Sequence, residues 1–197
     1  FDREEVLTRG DMVMVVKNNY FWTTEARRGC SPEELKEIRL PDFLANGDIM
    51  EVVRLRNIHE QYGFQFADAT LRLPDYDDSE IECRVLLSTL ASESPSLTKE
   101  ESERLFQAVY DDYFDIPSKR ERMKKLREDP YYNALQLKYA YAVTCHKAQG
   151  GQWKNVFIDM GYIAPENQGM EFYRWLYTAI TRATHRLYLI NPSVEVK

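Results

Sequence analysis

Short apolar runs separated by turn-forming residues occupy the first 90 positions of the chain. The strand candidates among them are Met12–Val16, Ile49–Leu55, Tyr62–Ala67 and Ile81–Leu87. The dipeptide Asn46-Gly47 precedes the second run and favours a tight turn, because both residue types tolerate positive φ. Several short strands joined by turns predict a small β-barrel. The stretch Thr23–Pro41 is predicted to be a loop with a helical turn at Pro32–Ile38.

Helical spacing replaces the strand pattern after a serine-rich linker at Ser92–Ser96. Thr98 and Glu101 fit a capping box, in which a hydroxyl caps the helix and a carboxylate three residues later reaches back. Ser118 and Glu121 repeat this signal for a second, highly charged helix. We interpret the two helices as a solvated hairpin, with an arm that binds a partner or nucleic acid as the alternative.

The last third of the chain predicts a parallel α/β sheet. Its strand candidates are Tyr139–Val143, Val156–Met160 and Leu187–Ile190. A helix is predicted over 170–183, with one apolar face formed by Phe172, Tyr173, Leu176 and Ile180. Strand, loop, strand, helix, strand is the order of a parallel sheet, whose functional residues lie at the carboxyl ends of its strands. Both polar motifs described below are predicted to lie there.

The net charge and the cysteine content limit which ligands and partners the chain is expected to bind. The formal net charge is −6, so any contact with nucleic acid has to be local. Cys30, Cys83 and Cys145 are odd in number and form no C-x-x-C pair, which argues against a disulfide framework or a zinc site and favours a reducing cytoplasm. No apolar run approaches the roughly 20 residues that span a bilayer, so we expect no membrane partner. From the cysteine pattern we also expect no bound metal in this chain.

Two segments carry candidate chemistry. The first follows a predicted strand and combines hydroxyl, imidazole, ammonium and amide groups with two glycines; it reads Thr144-Cys145-His146-Lys147-Ala148-Gln149-Gly150-Gly151-Gln152. Such donors suit phosphate oxygens, although a simple polar turn explains them equally well. The second ends the predicted helix with Arg182, whose guanidinium suits a phosphoryl group. Capping of the helix C-terminus is the alternative role for Arg182.

Together the two segments resemble the fifth and sixth motifs of superfamily 1 helicases of the RecD-like branch, in the UvrD/RecD family. Residues 144–150 resemble the family pattern T-x-H-K-[SA]-Q-G, and residues 176–183 match L-Y-T-A-I-T-R-A. The separation of 33 positions between Gln149 and Arg182 also suits the family. The likeness is strong over 138–190, where the chain is similar to exodeoxyribonuclease V alpha subunits. It is moderate over 8–73 and absent over 88–135.

The resemblance implies an α/β fold with a RecA-like, P-loop NTPase-type parallel sheet lobe, an inserted small SH3-like β-barrel and a helical hairpin. The implied organisation is a second motor lobe formed by 1–20 and 136–197, a barrel at 21–90 and a helical insertion at 91–135. Met50 stands where relatives often have Gly in the barrel. Trp153 holds the aromatic position of the family and is expected in the core.

The resemblance also implies site roles. Arg182 is the expected catalytic arginine finger, and Gln149, Gly150 and Gln152 are expected beside the nucleotide. Gln152 departs from the Glu of many relatives. Thr144, His146 and Lys147 are expected to bind nucleic acid, with a solvent-facing lysine as the alternative for the last. These nucleic-acid and nucleotide contacts are expectations from the family alone.

No G-x-x-x-x-G-K-[ST] motif occurs in the sequence, so we expect ATP and Mg²⁺ to be bound mainly by an N-terminal motor lobe outside this chain. The expected protein is therefore a fragment of an ATP-dependent 5′ to 3′ DNA helicase, inactive alone, that acts on single-stranded DNA rather than RNA in repair or recombination. Nuclease or repair subunits are its expected partners. The alternative is a non-catalytic module that binds nucleic acid or protein and has a degenerate motor lobe.

Overall fold

Five strands in the first part of the chain close into a barrel. They are β1 Met12–Val15, β2 Ile49–Gln61, β3 Phe64–Leu73, β4 Ser79–Leu86 and β5 Leu135–Tyr139. All neighbouring pairs are antiparallel except β4 and β5, which are parallel. The computed structural model describes residues 6–161 and 168–192, which fall into two compact units, Phe1–Tyr141 and Ala142–Lys197. The closed barrel is compatible with the predicted SH3-like insert.

The barrel encloses a core of aliphatic side chains. Its fully buried members include Val13, Leu44, Met50, Val52, Leu71, Ile81, Val85 and Leu137. Along β2, the buried Met50 and Val52 alternate with the half-buried Ile49, Glu51 and Val53, as expected for a strand with one face toward a core. Met50 therefore fills the core at the position where relatives of the predicted family often have Gly.

A two-residue turn joins β2 to β3. Tyr62 and Gly63 have φ of +56° and +70°, and they connect Gln61 to its partner Phe64. Positive φ at both central positions is typical of a type I′ hairpin, which matches the twist of the flanking strands. The predicted strand over 62–67 was wrong at its first two positions, because Tyr62 and Gly63 form this turn.

The barrel includes two strands that the sequence analysis assigned to the motor lobe. β1 pairs with both β2 and β5, so the barrel would be open without residues 12–15 and 135–139. Asp11, which is buried just before β1, accepts hydrogen bonds from the Thr8 amide (2.8 Å) and the Tyr141 hydroxyl. The predicted strand over 139–143 was also wrong, because β5 ends at Tyr139 and turns follow.

Two helices lie between β1 and β2, where a loop was predicted. They are α1 Phe21–Arg27 and α2 Glu34–Glu37. The Asn19 side chain starts α1, since its Oδ1 accepts hydrogen bonds from the amides of Phe21 (3.1 Å) and Trp22 (3.2 Å). The helical turn predicted at 32–38 corresponds to α2, whereas α1 was missed.

Between β4 and β5 the chain forms a helical insertion. Its helices are α3 Ser88–Ala91, α4 Lys99–Asp111 and α5 Lys119–Arg127. The capping box predicted at Thr98 and Glu101 is confirmed, because each side chain bonds the backbone amide of the other residue. Leu105, Val109 and Leu126 of the hairpin pack in a second cluster with Phe64 and Phe66 of β3.

The second unit contains the order strand, helix, strand. β6 Trp153–Asp159 and β7 Ala183–Ile190 form a parallel pair, and α6 Met170–Ile180 connects them in sequence. Its small core consists of Ile158, Met160, Phe172 and Ala179. The predicted apolar face of α6 was partly wrong, because Tyr173 is 52% exposed and Ile180 is 36% exposed.

The combination of helices and β-sheets in this chain fits a helicase C-terminal domain. Among the helices in the described ranges, none is both long and apolar enough to cross a membrane.

Candidate functional site

A cavity of about 550 Å³ in the second unit contains two of the predicted site residues. Its walls are formed by Cys145, His146, Gln149, Glu171, Phe172, Arg174, Trp175 and Thr178. The first three belong to the polar segment 144–152, and the other five belong to α6. The structure therefore brings the two predicted motifs together on one concave surface.

Consecutive turns shape the polar segment. The amides of Lys147 and Ala148 both donate to the Thr144 carbonyl (3.0 and 3.1 Å), and the Gln149 amide donates to the His146 carbonyl (3.3 Å). The Cys145 thiol anchors this turn, since its Sγ donates to the Trp175 carbonyl at 3.5 Å. With Cys145 turned toward α6, the flanking side chains of Thr144 and His146 are exposed.

Burial beside α6 raises the pKa of the Cys145 thiol, and the neighbouring Arg182 guanidinium opposes that shift. The thiol is therefore neutral near pH 7 and serves as a hydrogen-bond donor rather than a nucleophile. Its structural role separates it from the exposed polar side chains on either side.

Two glycines let the segment turn close to an aromatic ring. Gly150 has φ of +88°, a left-handed conformation that glycine adopts without strain. A Cβ at Gly151 would lie 2.3 Å from the Trp153 ring, so glycine is required for this close approach. Trp153 is 41% exposed, and the expectation of a core tryptophan was wrong because one side of its ring faces solvent.

Arg182 lies directly beside the polar segment. Its Nη1 donates to the Gly151 carbonyl (3.2 Å), and its Nε donates to the Thr178 carbonyl (3.0 Å). Its Nη2 donates to the Thr181 hydroxyl at 3.0 Å. The guanidinium thus closes the C-terminal turn of α6 and bridges it to the glycines, as the helix-capping alternative predicts.

The two motifs meet at the amino ends of the parallel strands. Residue 152 precedes β6, and Arg182 precedes β7, whose first residue Ala183 is in register with Trp153. The Trp153 amide also donates to the Arg182 carbonyl at 2.9 Å. The prediction that both motifs lie at carboxyl ends was wrong in this unit, because the strand expected before Thr144 belongs to the barrel.

Other predicted residues lie outside the cavity wall. Thr144, Lys147, Gly150 and Gln152 are exposed and belong to the same segment. Within the described ranges, no cluster of three or more His, Cys, Asp or Glu side chains is arranged to hold a metal ion.

Sequence reasoning missed the polar side of α6. Arg174 and Thr178 line the cavity, and Arg182 follows at the same four-residue spacing. Arg174 contacts Glu171 at 3.7 Å, and both side chains are largely exposed, so this ion pair adds little stability. The spacing of 174, 178 and 182 was the available signal, since residues four apart share a helix face.

Comparison with known protein families points to the same segment. Residues 139–190 match the UvrD-like helicase C-terminal domain. The match contains all of the predicted site residues and supports a superfamily 1 helicase C-terminal region. It supports a helicase-related role, with the nucleic-acid binding that helicases have in general.

Two curated relatives are similar over shorter stretches. An uncharacterized protein of Methanocaldococcus jannaschii is 40% identical over 63 residues, which are 32% of this chain and 5% of that protein. An uncharacterized protein of Acanthamoeba polyphaga mimivirus is 32% identical over 59 residues, 30% of this chain and 11% of that protein. The chain therefore matches only a small part of the length of each of these relatives.

Proposed function

We propose that this chain is the C-terminal motor region of an ATP-dependent helicase that moves along single-stranded DNA. The observation that carries the proposal is the contact between Arg182 and the Gly151 carbonyl, which joins the two motifs at the start of β6 and β7. Both partners lie inside the match to the helicase domain. In this proposal the second unit is part of a RecA-like lobe, and the barrel is its SH3-like insert.

Arg182 is the proposed arginine finger. Its guanidinium carries two NH₂ groups and a fixed charge, which suits the γ-phosphate of an ATP molecule held by another lobe. To reach a phosphate, Arg182 has to exchange its bonds to Gly151 and Thr181 for bonds to phosphoryl oxygens. Gln149, Gly150 and Gln152 are proposed to lie near the same nucleotide, because they share a short turn with Gly151.

Nucleic acid is proposed to contact the exposed edge of the same segment. Thr144, His146 and Lys147 are exposed donors within five positions of Gln149. A movement of the segment at the nucleotide would therefore also move these donors, which couples phosphate contact to ATP turnover. Mg²⁺ and the ATP triphosphate are proposed to be held by a separate lobe, since this sequence contains no P-loop motif. The proposed direction is 5′ to 3′, and nuclease or repair subunits are proposed partners.

The finger role is tested by Arg182→Ala and Arg182→Lys in the longest natural form of the protein. A transition-state finger gives a loss of kcat of about 10³-fold or more in both variants, with the KM for ATP nearly unchanged. Arg186→Ala is the matched control, because Arg186 is exposed on β7 and belongs to neither motif. Its ATPase activity should equal that of the unchanged protein.

Thermal unfolding separates the finger from a helix cap. A cap alone predicts that Arg182→Ala lowers stability while Arg182→Lys restores it, because a lysine still supplies a cation at the helix C-terminus. Full turnover in Arg182→Lys would contradict the finger role and leave Arg182 as a structural residue.

A non-catalytic binding module with a degenerate motor lobe is the second candidate function. It is favoured by the three internal hydrogen bonds of Arg182, which engage all three guanidinium nitrogens without a nucleotide. In that case the longest natural form hydrolyses no ATP in the presence of single-stranded DNA. A salt-dependent affinity for DNA would then identify a nucleic-acid module, and a flat salt response would identify a protein-binding one.

A further inference from the structure

Helix α5 concentrates positive charge in an acidic chain. Its nine residues contain six Lys or Arg and one Glu, a net charge of +5. Outside this helix the chain has 20 cationic and 31 anionic residues, a net charge of −11. The preceding helix α4 has two cations and four carboxylates, so the hairpin separates charge between its two arms.

The inner side of α5 is fixed to the rest of the unit. Leu126 is fully buried in the second cluster, and Met123 packs against that cluster. The Arg122 Nη2 donates to the carbonyls of Phe114 (3.0 Å) and Ile116 (2.9 Å), and its guanidinium lies 4.9 Å from the centre of the Tyr110 ring. The helix is therefore held in one orientation.

Its outer side carries three cations on one face. Arg120, Lys124 and Arg127 are spaced by four and three residues, so they follow one another about 5–6 Å apart along the helix. All three are exposed. None of their side chains makes an ion pair or a hydrogen bond with any part of the chain that the structure describes. Arg72 and Arg84 of the barrel differ, since both are paired with carboxylates.

An exposed aromatic residue lies in the connection between α4 and α5. Phe114 is 77% exposed, the highest value among the large hydrophobic residues that the structure describes. Its carbonyl accepts the Arg122 hydrogen bond, which fixes the backbone of Phe114 against α5. An exposed ring in the turn before a helix that carries unpaired cations suits a single nucleic-acid strand, whose bases stack and whose phosphates are anionic.

We propose that the outer face of α5 binds single-stranded nucleic acid, with Arg120, Lys124 and Arg127 contacting phosphates and Phe114 stacking on a base. This inference rests on the proposed function, because the helicase match favours nucleic acid over other anionic partners. A lipid surface fits less well. A helix that lies on a membrane inserts its apolar side, and in α5 that side is packed in the second cluster.

The test measures binding of a fluorescent 20-nucleotide oligo(dT) to the 197-residue chain by anisotropy at several NaCl concentrations. The triple variant Arg120→Gln, Lys124→Gln, Arg127→Gln should bind at least about tenfold more weakly at 0.1 M salt. Its slope of log affinity against log salt should be shallower by about 2, because each lost phosphate contact removes roughly 0.7. The matched control is Arg9→Gln, Lys36→Gln, Arg54→Gln, which removes three exposed cations from other elements and should leave both values unchanged.

The proposed stacking of Phe114 on a base is tested separately. Phe114→Leu should weaken binding at least about fivefold with an unchanged salt slope, because stacking involves no counterion release. Leu35→Ala is its control, since Leu35 is another exposed apolar residue.

The outcomes separate this inference from the proposed function. If the unchanged chain binds oligo(dT) and the triple variant binds equally well, the α5 surface is overturned while the helicase proposal stands. If the unchanged chain does not bind oligo(dT), both the α5 surface and the nucleic-acid part of the proposed function are overturned. If phosphatidylserine vesicles capture the chain through these cations and oligo(dT) does not, the surface is a lipid site instead.

Discussion

At the scale of single residues, one carboxylate links the barrel to the connection before β5. Asp68 of β3 accepts hydrogen bonds from the side-chain Nδ2 of Asn57 (2.9 Å) and from Nε and Nη2 of Arg84 (2.9 and 2.8 Å). The Arg84 guanidinium in turn lies 4.2 Å from the centre of the Tyr131 ring. Asp68 therefore holds Arg84 by an ion pair while the same guanidinium packs on the Tyr131 ring.

The same carboxylate predicts an acid dependence of stability. Partial burial acts to raise the pKa of Asp68, but the hydrogen bonds from Asn57 and Arg84 outweigh it and the pKa is lowered. A folded pKa below the unfolded value of about 3.9 gives a stabilisation that is complete above pH 4 and is lost as the pH falls through the folded pKa.

We therefore expect Asp68→Asn to lower the free energy of unfolding by up to about 1 kcal/mol at pH 7. The difference should shrink as the pH falls below about 4 and disappear once the pH is below the folded pKa of Asp68. Urea titrations from pH 7 to pH 2.5 measure it, with the exposed Asp115→Asn as control. A difference that stays constant over this range would contradict the role of the carboxylate charge.

At the scale of elements, features formed by residues close in sequence could be predicted, whereas the pairing of strands far apart in sequence could not. The capping box at Thr98 was predicted because all of its atoms lie within four positions. The pairing of β1 with β5 joins Val13 to Tyr139, 126 positions apart, and no local periodicity encodes it. For the same reason the pairing of Tyr139 within the barrel could not be read from the sequence. Arg182 was found because it lies in a motif, whereas Arg174 became visible only when α6 and the polar segment were seen to form one cavity.

The cap gives a prediction for the hairpin. Thr98→Ala should lower the free energy of unfolding by about 1 kcal/mol, because the amide of Glu101 loses its acceptor. Thr98→Ser should keep most of the stability, since it retains the hydroxyl. Chemical denaturation followed by circular dichroism measures both variants. Equal stability of all three proteins would show that the hairpin is held by its packing against Phe64 and Phe66 alone.

At the scale of the whole molecule, the two units differ in the number of hydrophobic side chains that they bury. Every member of the two larger clusters lies before residue 142. Among residues 142–161 and 168–192, the cluster of the second unit has four buried members, and Phe157 and Tyr188 of its sheet are stacked yet 65% and 38% exposed. Parallel strands are normally covered on both faces, so this unit has a smaller share of the packing that stabilises a fold.

Residues 1–141 produced alone should therefore fold and unfold cooperatively, with a melting temperature close to that of the matching transition in the whole chain. Residues 142–197 alone should lack a cooperative transition, because 56 residues with so small a core are marginal. Calorimetry of the two pieces measures this. A sharp transition in the shorter piece, or none in the longer, would contradict the division.

The closure of the barrel limits how the first unit can meet an extended ligand. Where the strands pair on both sides, as at Val13 and Met14 of β1 and at Val85 and Leu86 of β4, their main-chain donors and acceptors offer no free edge for a further strand to anneal. Recognition there has to use protruding side chains, which can be exchanged one at a time without opening the sheet. Evolution can therefore change what this unit binds while the barrel stays intact.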